Sequence, residues 1–259
     1  MLLQLERITL SFAGNTVLDA VDFGVNEGSI ATLIGPNGAG KTSLFNTITG
    51  FYRPQQGSIH FDGVPIVKQK PHRVTQLGIA RTFQNVRLFR EMSVLENVMA
   101  GMHCRTRSGA IGAILRLPSQ RAEEREILET SEECLRFVGI HGERERLATN
   151  LAYGHQRRVE IARALATRPK LLLLDEPAAG LNASEKEALI ELIRRIRDER
   201  GVSVLLIEHD MSLVMKVSER ISVLDHGSMI TEGTPHDIQN DPRVIEAYLG
   251  QDDEELALS

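Results

Sequence analysis

Residues 35–42 have a spacing of glycine, lysine and threonine that can bind the phosphates of a nucleotide. The segment reads Gly-Pro-Asn-Gly-Ala-Gly-Lys-Thr and matches the pattern Gly-x-x-x-x-Gly-Lys-Ser/Thr. Glycines let the backbone curl until successive N–H groups point at one anion, and a helix beginning near Lys41 adds its positive end. A glycine-rich turn without a ligand is the alternative, but an apolar strand enters this loop and a helix leaves it. We therefore predict nucleotide binding by Asn37, Gly38, Ala39, Gly40, Lys41, Thr42 and Ser43.

Two adjacent carboxylates, Asp175 and Glu176, follow an apolar strand. In enzymes with such a phosphate loop, an acid at a strand end holds Mg²⁺, usually through water, and Asp175 suits that role. Glu176 is then placed to accept a proton from an attacking water. Thr42 is the second expected Mg²⁺ ligand, and Lys41 is expected to bridge the β- and γ-phosphates. A core strand with a polar end is the common alternative, but a phosphate loop in the same chain favours catalysis.

Four further side chains extend this site. His209 follows an apolar strand that ends at Ile207 and can reach the γ-phosphate and the attacking water, although alone it would read as a surface histidine. Gln84 follows a short strand, and its amide can sense Mg²⁺ or water and connect two parts of the chain; the alternative is an ordinary loop glutamine. Phe12 can stack on a purine through its π-face. Val17 is predicted as a further nucleotide-binding residue.

The composition is that of an ordinary globular protein, with 42% hydrophobic and 25% charged residues among 259. A net charge of −5 argues against a nucleic-acid partner bound by bulk charge. The N-terminus lacks the features of a signal peptide, and no window approaches the ~18 apolar residues of a membrane span. We expect a cytoplasmic protein whose membrane association comes through a partner.

Strand-like and helical runs alternate on either side of a helical region. This alternation predicts a largely parallel sheet with ligands at the carboxyl ends of its strands, and the early strands predict a separate antiparallel layer. We predict one domain over 1–259, with an α/β core and β layer in 1–90 and 169–259 and an inserted helical subdomain in 91–168.

These elements in this order resemble the ABC-transporter ATPases, over almost the whole chain. Residues 151–156, Leu-Ala-Tyr-Gly-His-Gln, look like the family signature, usually Leu-Ser-Gly-Gly-Gln, and precede a predicted helix. The resemblance implies a P-loop NTPase (RecA-like) core, a switch role for His209, and a dimer-crossing loop at 178–182. It also implies that the signature binds the γ-phosphate held by a second subunit, here through Ala152, Tyr153, Gly154 and His155.

Four segments narrow the resemblance to the branched-chain amino acid importers, LivG type. They are Leu-Ala-Tyr-Gly-x-Gln-Arg-Arg, Pro-Ala-Ala-Gly-Leu-Asn, Ile-Glu-His-Asp-Met and Ala-Tyr-Leu-Gly. Two positions depart from the wider family: Ala152 replaces its usual serine, and His155 replaces its usual glutamine or glutamate. The region at 103–125 also resembles this branch. Its arginines form either a patch that faces a partner or lipid, or a solvated helix face; they are Arg105, Arg107, Arg116 and Arg121.

The function implied by the resemblance is Mg²⁺-dependent hydrolysis of ATP to ADP and phosphate at a dimer interface, driving amino-acid import. The implied partners are transmembrane permease subunits, a second ATPase subunit that is either different or another copy, and indirectly a solute-binding protein. The implied location is peripheral, on the inner face of the cell membrane. Amides, urea or another small solute remain alternative substrates.

Two other function classes fit the sequence less well. Non-transport ABC proteins in translation or repair usually carry tandem nucleotide domains or long coiled-coil inserts, which this chain lacks. A P-loop kinase or GTPase is disfavoured by the combination of Gln84, the signature segment and His209.

Overall fold

A computed structural model describes residues 1–102 and 118–248, in which ten strands and eight named helices build two sheets and their covering layers. The strands are β1 (Leu3–Phe12), β2 (Asn15–Val25), β3 (Ile30–Ile34), β4 (Gln56–Phe61), β5 (Val64–Pro65), β6 (Ile79–Arg81), β7 (Leu171–Asp175), β8 (Ser203–Ile207), β9 (Arg220–Asp225) and β10 (Ser228–Gly233). The helices are α1 (Lys41–Ile48), α2 (Pro71–Leu77), α3 (Val94–Met102), α4 (Pro118–Phe137), α5 (Tyr153–Ala166), α6 (Ala183–Arg200), α7 (Met211–Val217) and α8 (Pro235–Gln239).

The first sheet is antiparallel, with strand order β2-β1-β4-β5. Alternate residues of β1 are buried at Leu3 and Leu5, and again at Ile8 and Leu10 after an irregularity in the strand pairing. This alternation is typical of a sheet with one face on the core. The hairpin between β4 and β5 turns at Asp62 and Gly63, which both have positive φ as a tight two-residue turn requires.

The second sheet carries the predicted site, with strand order β10-β9-β3-β8-β7-β6. All of its neighbouring strands run parallel except β10, which pairs with β9 antiparallel. Every residue of β3, β7 and β8 is buried, as expected for parallel strands covered on both faces. The carboxyl ends of these three strands therefore meet at one edge of the sheet.

Between β6 and β7 the described chain is mainly helical. Helices α3, α4 and α5 share a buried apolar cluster that includes Val98, Leu135 and Ile161 and continues into the parallel sheet. The fold class is confirmed, whereas the boundaries of a separate helical subdomain stay a prediction. Of the four arginines singled out above, Arg121 is exposed on α4, while Arg105, Arg107 and Arg116 lie outside the described residues.

The signature segment overlaps a helix, whereas the sequence predicts that the segment lies just before one. Helix α5 begins at Tyr153, so Tyr153, Gly154 and His155 form its first turn. Ala152 is the N-cap residue, with φ −57° and ψ 150°, and it makes no side-chain cap hydrogen bond. Within residues 1–102 and 118–248, no helix combines the length and apolar composition that crossing a bilayer requires.

Candidate functional site

The phosphate loop connects β3 to α1 and is wedged between two strands. A Cβ atom at Gly35 would lie 1.9 Å from the Leu224 carbonyl oxygen, and one at Gly40 would lie 2.8 Å from the Val17 carbonyl oxygen. Both glycines also have positive φ. Only glycine therefore lets the loop pack this closely against β2 and β9, because any other residue would place a Cβ atom on these carbonyl groups. Val17, predicted to bind the nucleotide, approaches the loop at Gly40 through its backbone carbonyl.

The ammonium group of Lys41 lies inside the curl of this loop. Its Nζ atom donates to the carbonyl oxygens of Gly35, at 2.6 Å, and Pro36, at 2.7 Å. Burial lowers the pKa of Lys41, and the nearby charges of Glu176 and Asp175 oppose that shift. The two loop carbonyls thus fix the position of the ammonium group. Asn37, Gly38 and Thr42 are exposed, Gly40 and Ser43 are half-buried, and Ala39 is buried.

Asp175, at the end of β7, forms a buried ion pair with Arg81 of the adjacent strand β6. The Arg81 Nη2 atom lies 2.8 Å from Asp175 Oδ2, with side chains 7% and 5% exposed. Arg81 Nη1 also donates to Asn46 Oδ1 of α1 at 2.6 Å. The guanidinium lies against the rings of Phe45 and Phe83, 5.5 Å and 5.2 Å from their centroids. Arg81 therefore fixes the predicted Mg²⁺ ligand relative to the phosphate-loop helix.

Glu176 lies between two other predicted residues. Gln84 Nε2 donates to Glu176 Oε2 at 2.6 Å, and His209 Nε2 lies 3.0 Å from Glu176 Oε1. The backbone N–H of Glu176 donates to Ile207 at the end of β8, and its φ is +45°. The carboxylate is thus held on both oxygens at the edge where β7 and β8 end.

A cleft of about 320 Å³ opens beside the phosphate loop, and Thr42, Gln84 and Asp175 all line it. These are the three predicted Mg²⁺ ligands, and they supply a hydroxyl, an amide oxygen and a carboxylate, which suit this hard cation. Among the described residues, no group of three histidine, cysteine, aspartate or glutamate side chains could hold a metal alone. The donors therefore fit a Mg²⁺ ion that shares its coordination with phosphate and water.

Phe12 ends β1, is 43% exposed, and packs edge-to-face on Tyr52 with ring centroids 5.0 Å apart. Tyr52 also lines the cleft that contains Thr42. An exposed aromatic pair near the phosphate loop can contact a base. Sequence reasoning missed Tyr52, because an aromatic residue in a loop carries no pattern of its own.

The signature segment lies on the surface, against the loop that follows β7. A Cβ atom at Gly180 would lie 3.2 Å from the Tyr153 ring, and one at Gly154 would lie 2.6 Å from Glu185 Oε1. Ala152 and His155 are exposed, as is Tyr153, at the N-terminal end of α5. The positive N-terminal end of the helix is thus accessible to an anion brought by another molecule.

Sequence reasoning also missed a buried carboxylate, Glu208, that ties two loops together. It accepts N–H bonds from Ala178 at 2.8 Å, His209 at 3.0 Å and Asp210 at 3.2 Å. Burial raises the pKa of Glu208, and these backbone donors oppose the shift. The loop after β7 is therefore fixed to the loop that carries His209.

Lys41, Gln84, Asp175, Glu176 and His209 are thus brought to one region, although the role of each stays a prediction. Phe12 and Val17 lie at the first sheet beside this region, and the signature residues form a separate exposed surface. One polypeptide therefore offers a phosphate-binding loop and, elsewhere, an exposed helix end.

Two family models match the sequence. Residues 18–179 match the model described as ABC transporter. Residues 228–254 match a model described as branched-chain amino acid ATP-binding cassette transporter.

Curated relatives match along nearly the whole chain. The chain is 44% identical over 250 residues to the high-affinity branched-chain amino acid transport ATP-binding protein BraF of Pseudomonas aeruginosa, covering 96% of this chain and 98% of that protein. It is 44% identical over 255 residues to the corresponding protein LivG of Escherichia coli K12, with the same coverage. The sequence resemblance to this family is therefore confirmed.

Solved structures agree in fold. The ADP conformation of MJ1267, an ATP-binding cassette of an ABC transporter, superposes with a TM-score of 0.84 at 32% identity, covering 96% of this chain and 98% of that one. The dimeric structure of MJ0796, a bacterial ABC transporter cassette, gives a TM-score of 0.76 at 25% identity and covers 90% and 98%.

Proposed function

We propose that this chain, which belongs to the ABC transporter family, couples hydrolysis of Mg²⁺-bound ATP to the import of branched-chain amino acids. As an ATP-binding cassette of this family it is an ATPase that acts in transport. The observation that carries the catalytic part is the Glu176 carboxylate, held by Gln84 and His209 at the sheet edge beside the phosphate loop. The substrate part is supported by the relatives' names and by the match at residues 228–254.

In the proposed reaction, Lys41 and the loop N–H groups neutralise the β- and γ-phosphates. Glu176 accepts a proton from the attacking water, and His209 orients that water and the γ-phosphate. Thr42, Asp175 and Gln84 would hold Mg²⁺, which when bound supplies further neutralisation of phosphate charge. Phosphoryl transfer depends mainly on such positioning and charge stabilisation, so no covalent intermediate on the protein is required.

The proposed assembly is a dimer of ATPase subunits on permease subunits. The exposed N-terminal end of α5, from Ala152 to His155, would contact the γ-phosphate held in the other subunit's loop. A dimer is supported by the dimeric cassette MJ0796. The chain would thus lie at the inner face of the cell membrane, where permease subunits hold it and a solute-binding protein delivers substrate.

Reconstitution tests the proposed substrate. The chain is purified with its permease subunits and second ATPase subunit, placed in liposomes, and supplied with the solute-binding protein. We expect leucine, isoleucine or valine to raise ATP turnover and to accumulate across the membrane, with acetamide and urea inactive. Stimulation by an amide or urea, with none by branched-chain amino acids, would show that the proposed substrate is wrong. The proposed ATPase activity would still stand.

A further inference from the structure

A buried ion pair lies on α5, directly after the signature segment. Arg157 Nη1 is 2.9 Å from Glu160 Oε2, and each side chain is 1% exposed. Removing two charges from water is costly unless each also finds hydrogen-bond partners. The pair finds them in the loop at residues 83–87, which follows β6.

Both members of the pair bind the backbone of that loop. Arg157 donates from Nη1 to the Phe83 carbonyl oxygen at 2.6 Å and from Nη2 to the Gln84 carbonyl oxygen at 2.7 Å. Glu160 Oε1 accepts from the N–H groups of Phe83, at 3.3 Å, and Arg87, at 3.5 Å. The ion pair therefore satisfies acceptors and donors of the same loop, and it holds the Gln84 backbone fixed to α5.

The contacts of Arg157 and Gln84 reach two different parts of the molecule, the signature segment and the Glu176 carboxylate. At one end, Arg157 Nη2 lies 3.2 Å from the Tyr153 hydroxyl, and the guanidinium lies 5.8 Å from the centre of that ring. At the other end, the Gln84 side chain donates to Glu176 at 2.6 Å. Direct contacts thus run from the signature residue Tyr153 through Arg157 and Gln84 to Glu176.

We propose that Arg157 is a positioning residue that couples the signature segment to the Glu176 carboxylate of the same chain. The inference rests on the proposed function, in which the signature closes on the second subunit's ATP while Glu176 acts on ATP in this subunit's loop. A shift of the first turn of α5 then moves the Gln84 backbone, and with it the amide that holds Glu176. The planar guanidinium can bind two carbonyls at once, which a lysine ammonium cannot do with the same geometry.

The test is Arg157→Lys in the full chain, with Arg158→Lys as the matched control. Arg158 is the next residue of α5 and donates to the Val138 carbonyl oxygen at 3.0 Å, on the side of α4. We expect Arg157→Lys to lower kcat for ATP at least tenfold and to change KM less than twofold, with the control close to wild type. A change confined to KM, or equal losses in both variants, would overturn the proposal.

A double-variant comparison separates positioning from general damage. Because Arg157 acts through Gln84, Arg157→Lys combined with Gln84→Ala should have the kcat of Gln84→Ala alone. If the kcat of the double variant is instead reduced by the product of the two single losses, the inference is overturned and the proposed function still stands. A wild-type kcat for Gln84→Ala would overturn the role of Gln84 in the proposed function, and this inference with it.

A charge-free variant covers the case in which Arg157→Lys does not fold. Replacing Arg157 and Glu160 together by methionine removes both buried charges and leaves neither without its partner. Thermal unfolding checks that this variant is folded. We expect it to show the same loss of kcat and the same non-additivity with Gln84→Ala, and a wild-type kcat would overturn the proposal.

Discussion

Arg81 and Asp175 pair across two adjacent parallel strands, 2.8 Å apart and almost fully buried. The guanidinium uses its other terminal nitrogen to bind Asn46 on the phosphate-loop helix. The pair thus joins the predicted Mg²⁺ ligand to the helix that carries Lys41 and Thr42. Its energetic contribution can be measured separately from catalysis.

We expect Arg81→Met to lower the free energy of unfolding by about 3–5 kcal/mol, because it leaves Asp175 buried without its ionic partner. Adding Asp175→Asn should recover part of this loss. Arg243→Met is the control, since the Arg243 side chain that pairs with Asp241 is 62% exposed, and a pair at the surface contributes about 0–1 kcal/mol. Urea denaturation measures all three. Equal losses for Arg81→Met and Arg243→Met would show that the buried pair does not stabilise the site.

The sequence predicts the local motifs of the site, but it does not predict the buried contacts of Arg81 and Arg157. The phosphate loop, the acid pair and the parallel strands were predicted because each is a local pattern of residue types. Arg81 and Asp175 are separated by 94 positions, and Arg157 and the Gln84 carbonyl by 73. Nothing in a single sequence indicates which arginine is buried against which acceptor, so these contacts required the fold.

The ion pair between Asp210 and Lys186 predicts a dependence of stability on pH. Hydrogen bonding by Lys186, then by Ser212, lowers the pKa of Asp210 to about 2 from 3.8. A lowered carboxyl pKa adds stability that is present above the unfolded pKa and lost as pH falls through the folded pKa. The contribution, at most about 2 kcal/mol, should therefore disappear between about pH 4 and pH 2.

Asp210→Asn keeps the N-cap of α7 but removes this ion pair. We expect the variant to be less stable than wild type at pH 7 and equal to it near pH 2, by urea denaturation across the pH range. Asp62→Asn is the control, because the pair of Asp62 with Lys170 is exposed on both sides. A difference between Asp210→Asn and wild type that does not change with pH would contradict the assignment.

Ala152 occupies the position where the wider family usually has serine, and it caps α5 without a side-chain hydrogen bond. In a Glu176→Gln background, Ala152→Ser should tighten ATP-dependent dimerisation. A hydrogen bond to a charged phosphate contributes about 1.5–3 kcal/mol, and 1.4 kcal/mol corresponds to about tenfold in affinity. Analytical ultracentrifugation with and without ATP measures the constant.

Serine also favours the N-cap of a helix, by about 1 kcal/mol over alanine. This second effect raises the stability of the monomer with or without ATP, so thermal unfolding without nucleotide separates it from the phosphate contact. Ala122→Ser, at an exposed position of α4, is the control for an added hydroxyl. An unchanged or weaker ATP-dependent dimer would show that the missing hydroxyl does not limit closure.

The central claim, that Glu176 accepts the proton of the attacking water, is tested most directly by phosphate release from Glu176→Gln. Glutamine keeps the shape and can bond Gln84 and His209, but it cannot accept the proton. We predict ATP binding close to wild type, measured with a fluorescent ATP analogue, and at least a hundredfold slower phosphate release in a single turnover. Glu187→Gln, which alters an exposed ion pair between α6 and Lys216 of α7, should release phosphate normally. Phosphate release at the wild-type rate from Glu176→Gln would contradict the account.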